Sequence, residues 1–260
     1  MKIQLLPSTF NEAGCAAQEQ RLSCFLIDDR VAIDAGSIAI ALNAGQRASV
    51  RDIIVTHPHM DHIATLPIFI DDLFATLEEP IRIYATEEVI ALLERDVFNW
   101  TVYPRFSELC NERTRVMQYV PIRPHEEFVV AHLRFTAVPV THIVPTVGML
   151  FSDSGANTTV AFSSDTAATE EFWHVVNRAA RLDALIIETS FPDEMSRLAE
   201  ISGHLIPRIL QQELRKLTHQ PQDILAMHLK PAYRDAIIRE LDALALPQLS
   251  VMEPGREYMW

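Results

Sequence analysis

The sequence predicts a layered α/β protein, and three observations carry that expectation. A chain of 260 residues with 48% hydrophobic content is long enough for one substantial core, because a chain of this size buries roughly three quarters of its unfolded surface. Short β-branched or aliphatic runs alternate with longer segments of helical spacing in both halves, the pattern of helices covering sheets. No Gly/Ser-rich or Pro-rich linker, low-complexity tract or solenoid period divides the chain, so residues 1–260 read as a single domain.

Taken in order, residues 3–6, 24–27, 31–34 and 53–56 are short apolar runs bounded by turn residues and predict strands. Asp28-Asp29 between the second and third is a hairpin signal, so the first third of the chain is expected to be antiparallel β structure. Residues 87–99, 167–180, 204–217 and 232–244 repeat apolar side chains at three- and four-residue spacing and predict amphipathic helices. Strands are expected between them at 81–84, 133–140, 147–151, 159–163, 184–187 and 223–227. With 15 Pro and only 7 Gly, the connections should be fixed turns rather than flexible hinges.

Charge narrows the function. The formal net charge is −13, from 22 Lys+Arg against 35 Asp+Glu. Such a surface repels a long polyanion, which needs a basic face to release counterions, so no long nucleic acid is expected as a partner. Cys15, Cys24 and Cys110 are odd in number and form no Cys-x-x-Cys pair, which points to a reducing compartment. The N-terminal stretch has no apolar export signal and no run is long enough to span a membrane, so the expected location is cytoplasmic.

The chemistry is concentrated after the fourth predicted strand, in Thr56-His57-Pro58-His59-Met60-Asp61-His62. Pro58 fixes an extended turn that lets His57 and His59 project to one side and grip one cation, while Asp61 and His62 face a neighbouring position. The alternative, three imidazoles that merely cap strand ends, is electrostatically poor beside a carboxylate. Further candidate ligands close later strands: His142 after Val138-Pro139-Val140-Thr141, Asp165 after Ser163-Ser164, and His228 after Leu225-Ala226-Met227.

With these residues in this order, the sequence resembles the metallo-β-lactamase superfamily over nearly its whole length. The resemblance implies an αββα sandwich of two mixed β-sheets with outer helices. It implies two divalent metal ions per chain, Zn²⁺ with Mn²⁺ or Fe²⁺ as alternatives. The first would be held by His57, His59 and His142 and the second by Asp61, His62 and His228, with Asp165 bridging both. Asp34, in Asp34-Ala35-Gly36, would be a carboxylate that orients a ligand histidine.

Ile186-Ile187-Glu188-Thr189-Ser190, Ser202-Gly203-His204-Leu205 and His228-Leu229-Lys230-Pro231 look like the class II 3′,5′-cyclic-nucleotide phosphodiesterases, and the Gly-His step also resembles the tRNA 3′-processing endonucleases. The chain departs from the family pattern after His62, reading Ile63-Ala64-Thr65 where a Gly or Ser is usual. The resemblance implies hydrolysis of a small cyclic phosphodiester, cyclic AMP or cyclic GMP, by a metal-bound hydroxide. Asp61 would orient the nucleophile and His204 would protonate the leaving 3′ oxygen. The aromatic segment of Phe98, Trp100, Tyr103 and Phe106 reads either as a wall on which the base stacks, with Trp100 and Tyr103 as contacts, or as closure of the core after an amphipathic helix, and Lys230 either as a phosphate contact or as a solvated charge. A homodimer is implied by the resemblance alone. The rival readings are a tRNA 3′-processing endonuclease, a phosphoribosyl cyclic phosphodiesterase, a lactone or thioester hydrolase, and a non-catalytic metal-binding scaffold.

Overall fold

The computed structural model describes residues 1–260. Its first six strands are β1 (Lys2–Leu5), β2 (Phe25–Ile27), β3 (Val31–Ile33), β4 (Asp52–Ile54), β5 (Ile81–Ala85) and β6 (Met117–Pro121). The next six are β7 (Glu127–Val130), β8 (Leu133–Pro139), β9 (Val147–Asp153), β10 (Thr158–Phe162), β11 (Ala184–Glu188) and β12 (Asp223–Met227). Two short strands at the end, β13 (Leu249–Val251) and β14 (Glu257–Met259), divide between the sheets. One seven-stranded sheet runs β14-β1-β2-β3-β4-β5-β6 and the other β13-β12-β11-β10-β9-β8-β7.

Most central strands are apolar on both faces, and this dictates four layers. In β2, Phe25 and Ile27 point to the core between the sheets while Leu26 points to the helices outside. In β12, Leu225 and Met227 face the same inner core while Ile224 and Ala226 face outward. Period-two alternation between two buried surfaces requires a cover on each side. Phe25 and Phe162 meet edge to face across the inner core at 4.8 Å between ring centroids.

The helices are α1 (Ile38–Ala41), α2 (Ala44–Ser49), α3 (Met60–Ile63), α4 (Leu66–Leu73), α5 (Glu87–Asp96), α6 (Glu171–Val176), α7 (Ser196–Ser202), α8 (Pro207–Leu214) and α9 (Arg234–Ala243). Buried side chains of α1, α4 and α5 cover the first sheet, and those of α6, α8 and α9 cover the second. The fold is thus the αββα sandwich expected of the sequence. No helix is long and apolar enough to cross a membrane.

Strand direction positions the site. β1, β2 and β3 are antiparallel, as the Asp28-Asp29 turn predicts, and both turn residues have positive φ, 48° and 55°. From β3 onward the sheet is parallel through β6. In the second sheet β10, β11 and β12 are parallel, and β9 is antiparallel to both β8 and β10, so β8 runs the same way as β10. The C-terminal ends of β3 and β4 and of β8, β10, β11 and β12 therefore lie at shared sheet edges, where loops carry sites in layered α/β proteins.

Two helical expectations were too long for a common reason. The helix expected at 167–180 is confined to α6, because the backbone N–H of Thr166 donates to Glu188 and that of Thr169 to Glu213. The helix expected at 204–217 begins at Pro207, because the Leu205 N–H donates to Glu188 and Pro favours the first turn. Buried carboxylates hold both lead-in segments away from helical geometry.

Phe25 is 2% exposed and contacts the second sheet directly. Phe25→Ala should lower unfolding free energy by about 3–5 kcal/mol, measured by urea denaturation.

Candidate metal centre

The segment after β4 folds locally so that its four polar side chains point inward. His59 has extended backbone and precedes the single turn α3, which contains Asp61 and His62. Pro58 lies between His57 and His59, and their rings meet at 4.8 Å. The loop is locked from outside: Ser23 N–H donates to the Asp61 carbonyl at 2.8 Å and Ala35 N–H to the His62 carbonyl at 2.7 Å.

Around this loop the structure gathers one donor from each of several strand ends. His57, His59, His142 and Asp165 form one group with all candidate ligand atoms within 4.8 Å of one another, and Asp61, His62 and His228 form a second. Asp165 stands between them. Its carboxylate oxygens lie 3.7 Å from His57 Nε2, 3.4 Å from His62 Nε2 and 3.1 Å from His228 Nε2.

Hydrogen bonds on the far side of each ring set which nitrogen faces inward. His142 Nδ1 is 2.8 Å from the Gly203 carbonyl, which only accepts, so Nδ1 carries the proton and Nε2 presents its lone pair to the centre. His62 Nδ1 donates to Asp34 Oδ2 at 2.7 Å. Asp34 also accepts from the N–H and hydroxyl of Thr56, and that hydroxyl lies 3.0 Å from His57 Nδ1. Asp34 thus contacts His62 directly and His57 through Thr56, contacts by which a carboxylate can orient ring nitrogens.

The donor set fits a divalent cation. His57 Nε2, His62 Nε2 and Asp165 Oδ1 are buried and have no hydrogen-bond partner, a combination that native proteins avoid unless an ion or water completes it. Nitrogen and carboxylate donors together suit borderline divalent metals.

Charge in the cluster is finely opposed. Burial holds His57 well below the ordinary imidazole range, and lowers His59 and His142 as well, keeping the three rings neutral and able to ligate. Burial alone would push Asp165 up, but His228 and His62 hold it well below the usual carboxylate range. Burial opposes Asp61 ionisation too, yet His62, His228 and Lys230 together lower it. His62 moves upward: burial works against its charge, but Asp165 and Asp34 more than offset this.

His204 lies at the same edge, within the Asp165, His204 and His228 group. It is not a helix-capping residue, since Ile206 occupies that position before α8. Its Nδ1 is 2.7 Å from Glu188 Oε1. Glu188 is fully buried and also accepts from Thr166 N–H, Ser190 hydroxyl and Leu205 N–H, which satisfies its carboxylate as an anion. Burial works against charge on His204, but Glu188 raises its pKa above the ordinary value. The sequence placed Glu188 in one of the motifs that carry the resemblance but assigned it no role; the available signal was an acid closing the wholly buried strand Ala184–Glu188.

Lys230 reaches the cluster, with Nζ 3.0 Å from His228 Nε2 and 3.4 Å from Asp61 Oδ2. The aromatic segment does not. Trp100 is 55% exposed, and Tyr103 packs with Phe106 against the helix-covered core beside Asp71 and Asp72. Neither makes a hydrogen bond or ring contact with the clustered histidines and carboxylates. Their aromatic pattern reflects closure of the outer core, where Phe98 and Phe106 are buried.

An αββα sandwich with His and Asp donors converging from strand ends defines a class, and the beta-lactamase superfamily domain matches residues 30–229. The chain belongs to the beta-lactamase superfamily. Among its relatives is the probable 3′,5′-cyclic-nucleotide phosphodiesterase of Yersinia pestis, 26% identical over 210 residues, which cover 72% of this chain and 59% of the relative. The chain thus spans about three fifths of that relative's length. Among solved structures, unliganded yeast PDE1 superposes with a TM-score of 0.78 at 17% identity, covering 100% of this chain and 99% of that one. The metallo-beta-lactamase fold protein YhfI from Bacillus subtilis gives 0.73 at 17% identity, with 99% of each chain covered.

A Cβ on Gly36 would lie 2.0 Å from the Asp61 carbonyl oxygen and 2.8 Å from the Ser23 backbone. Gly36→Ala must therefore displace the Asp61 loop, and bound divalent metal per chain should fall, measured by elemental analysis after dialysis.

Proposed function

We propose that this protein is a metal-dependent phosphodiesterase that hydrolyses a 3′,5′-cyclic nucleotide, cyclic AMP or cyclic GMP, to the 5′-nucleotide. The observation that carries the reading is the pair of donor groups joined at Asp165, with the Glu188–His204 pair at their edge. His57, His59 and His142 with Asp165 would hold one cation, and Asp61, His62 and His228 with Asp165 a second. When bound, two divalent ions, Zn²⁺ with Mn²⁺ or Fe²⁺ as alternatives, supply Lewis acidity to the phosphoryl oxygens and acidify a water molecule.

The chain's own residues divide the remaining work. Asp61, kept anionic by His62, His228 and Lys230, accepts a hydrogen bond from the attacking water and fixes its direction. Lys230 brings its Nζ beside Asp61 and His228, where it contacts a phosphate oxygen. Attack forms a P–O bond and breaks the bond from phosphorus to the 3′ oxygen. His204, charged with the help of Glu188, donates its Nε2 proton to that oxygen. The proton that the water gives up leaves to solvent, from which His204 is reprotonated for the next turnover.

A tRNA precursor is disfavoured as substrate. A net charge of −13 repels a long polyanion over much of the surface, whereas a singly charged cyclic nucleotide needs only the local positive potential that bound cations would give the centre.

Purified protein assayed against cyclic AMP, cyclic GMP, a pre-tRNA and a lactone should hydrolyse a cyclic nucleotide; turnover of the lactone alone would overturn the reading. His204→Ala should lower kcat by about 10²–10⁴-fold with bound metal retained. His204 acts in its protonated form, so activity is present below its pKa and is lost as pH rises through it. Glu188→Gln removes the charge that raises this pKa, so the alkaline loss in a kcat profile should begin at lower pH.

A further inference from the structure

We propose that a cavity behind His204 receives the base of the nucleotide; this rests on the reading of the centre as a cyclic-nucleotide phosphodiesterase. The cavity measures about 260 Å³, and His204 forms part of its wall together with Ala168, Ser196, Ala199 and Ile209. His204 is therefore shared: one side belongs to the group with Asp165 and His228, and the other to this cavity.

Three properties fit a heterocyclic base. The first is position. His204 serves the 3′ oxygen, and the ribose that carries this oxygen is fused to the cyclic phosphate, so the base projects from the sugar on beyond the reacting bond. A space adjoining His204 is where that projection leads.

The second is the wall. Ala168 and Ala199 present only methyl groups and Ile209 adds an aliphatic face, leaving room that larger side chains would fill. Small, largely apolar walls suit the flat faces of an aromatic ring, which gain from dispersion and loss of water.

The third is the edge. Glu200 and Arg208 also line the cavity, and neither side chain makes an ion pair or hydrogen bond within the protein. A free carboxylate and a free guanidinium offer an acceptor and donors to the ring nitrogens and exocyclic groups of a base.

A second cavity, about 460 Å³, adjoins His142 and is bordered by Pro139, Pro145 and Glu88; His204 is not among its lining residues. The exposed Trp100 is not required in this arrangement.

The test is binding of guanosine and of adenosine, which lack phosphate, to the metal-loaded protein by calorimetry. At least one should bind wild type, and its Kd should rise tenfold or more in Ala168→Trp and in Ser196→Trp, which fill the cavity from separate segments. For the cyclic nucleotide, Ala168→Trp should raise KM by a similar factor with a much smaller change in kcat. Failure of both nucleosides to bind wild type, or equal affinity in wild type and both variants, would overturn the pocket. Nucleoside binding that is lost in both variants, in a protein that hydrolyses neither cyclic AMP nor cyclic GMP, would instead keep the pocket and overturn the phosphodiesterase reading.

Discussion

Asp165 is the side chain on which the rest of the centre depends. Its carboxylate is 1% exposed and has three imidazole nitrogens within 3.7 Å. An isolated buried anion costs several kcal/mol, so the position is tenable only with opposite charge close on more than one side. The groups that face it are histidines carried by separate strand ends, with the candidate cation positions between them, and the sandwich must therefore hold several loops in fixed relation. The link is partly direct: Val147 N–H donates to the Thr56 carbonyl across the two sheets, and Ser164 hydroxyl donates to that of Thr56.

Holding those loops carries a local cost in backbone strain. Asp34, Ser164 and His228 have φ of 61°, 55° and 62° although none is glycine, and the left-handed region costs an L-residue about 1–2 kcal/mol. Each is at the centre or adjoins one of its residues, and each follows a strand closely. The strand ends abruptly and the side chain is turned inward. The apolar layers on both sides of each sheet offset that strain, which ties stability in the core to geometry at the edge.

Much of the site was legible because its chemistry is local. His57, His59, Asp61 and His62 sit within one short loop, and a strand-end position made His142, Asp165 and His228 recognisable at a distance in sequence. The structure brings all seven together. Glu188 was harder to see, since its role appears only when residues 188 and 204 are opposed across the sheet edge. The aromatic segment was ambiguous for the opposite reason: Phe98, Tyr103 and Phe106 carry residue types that suit a stacking surface or a core, and their packing places them with the helix-covered core. In the fold, the buried central strands were readable from apolar runs. The strands β6, β7, β13 and β14 were not, because they contain exposed residues and owe their pairing to neighbours rather than to their own pattern.

The acidic surface and the proposed function bear on one another. A molecule of net charge −13 would admit a small anion only where cations are held, and the proposed sites for them flank Asp165. The most direct measurement is anomalous diffraction from crystals of the metal-loaded protein, collected at the absorption edge of the ion. The account predicts two peaks, one beside His57, His59 and His142 and one beside Asp61, His62 and His228, with the Asp165 carboxylate between them. A single peak, or ions bound away from Asp165, would contradict it.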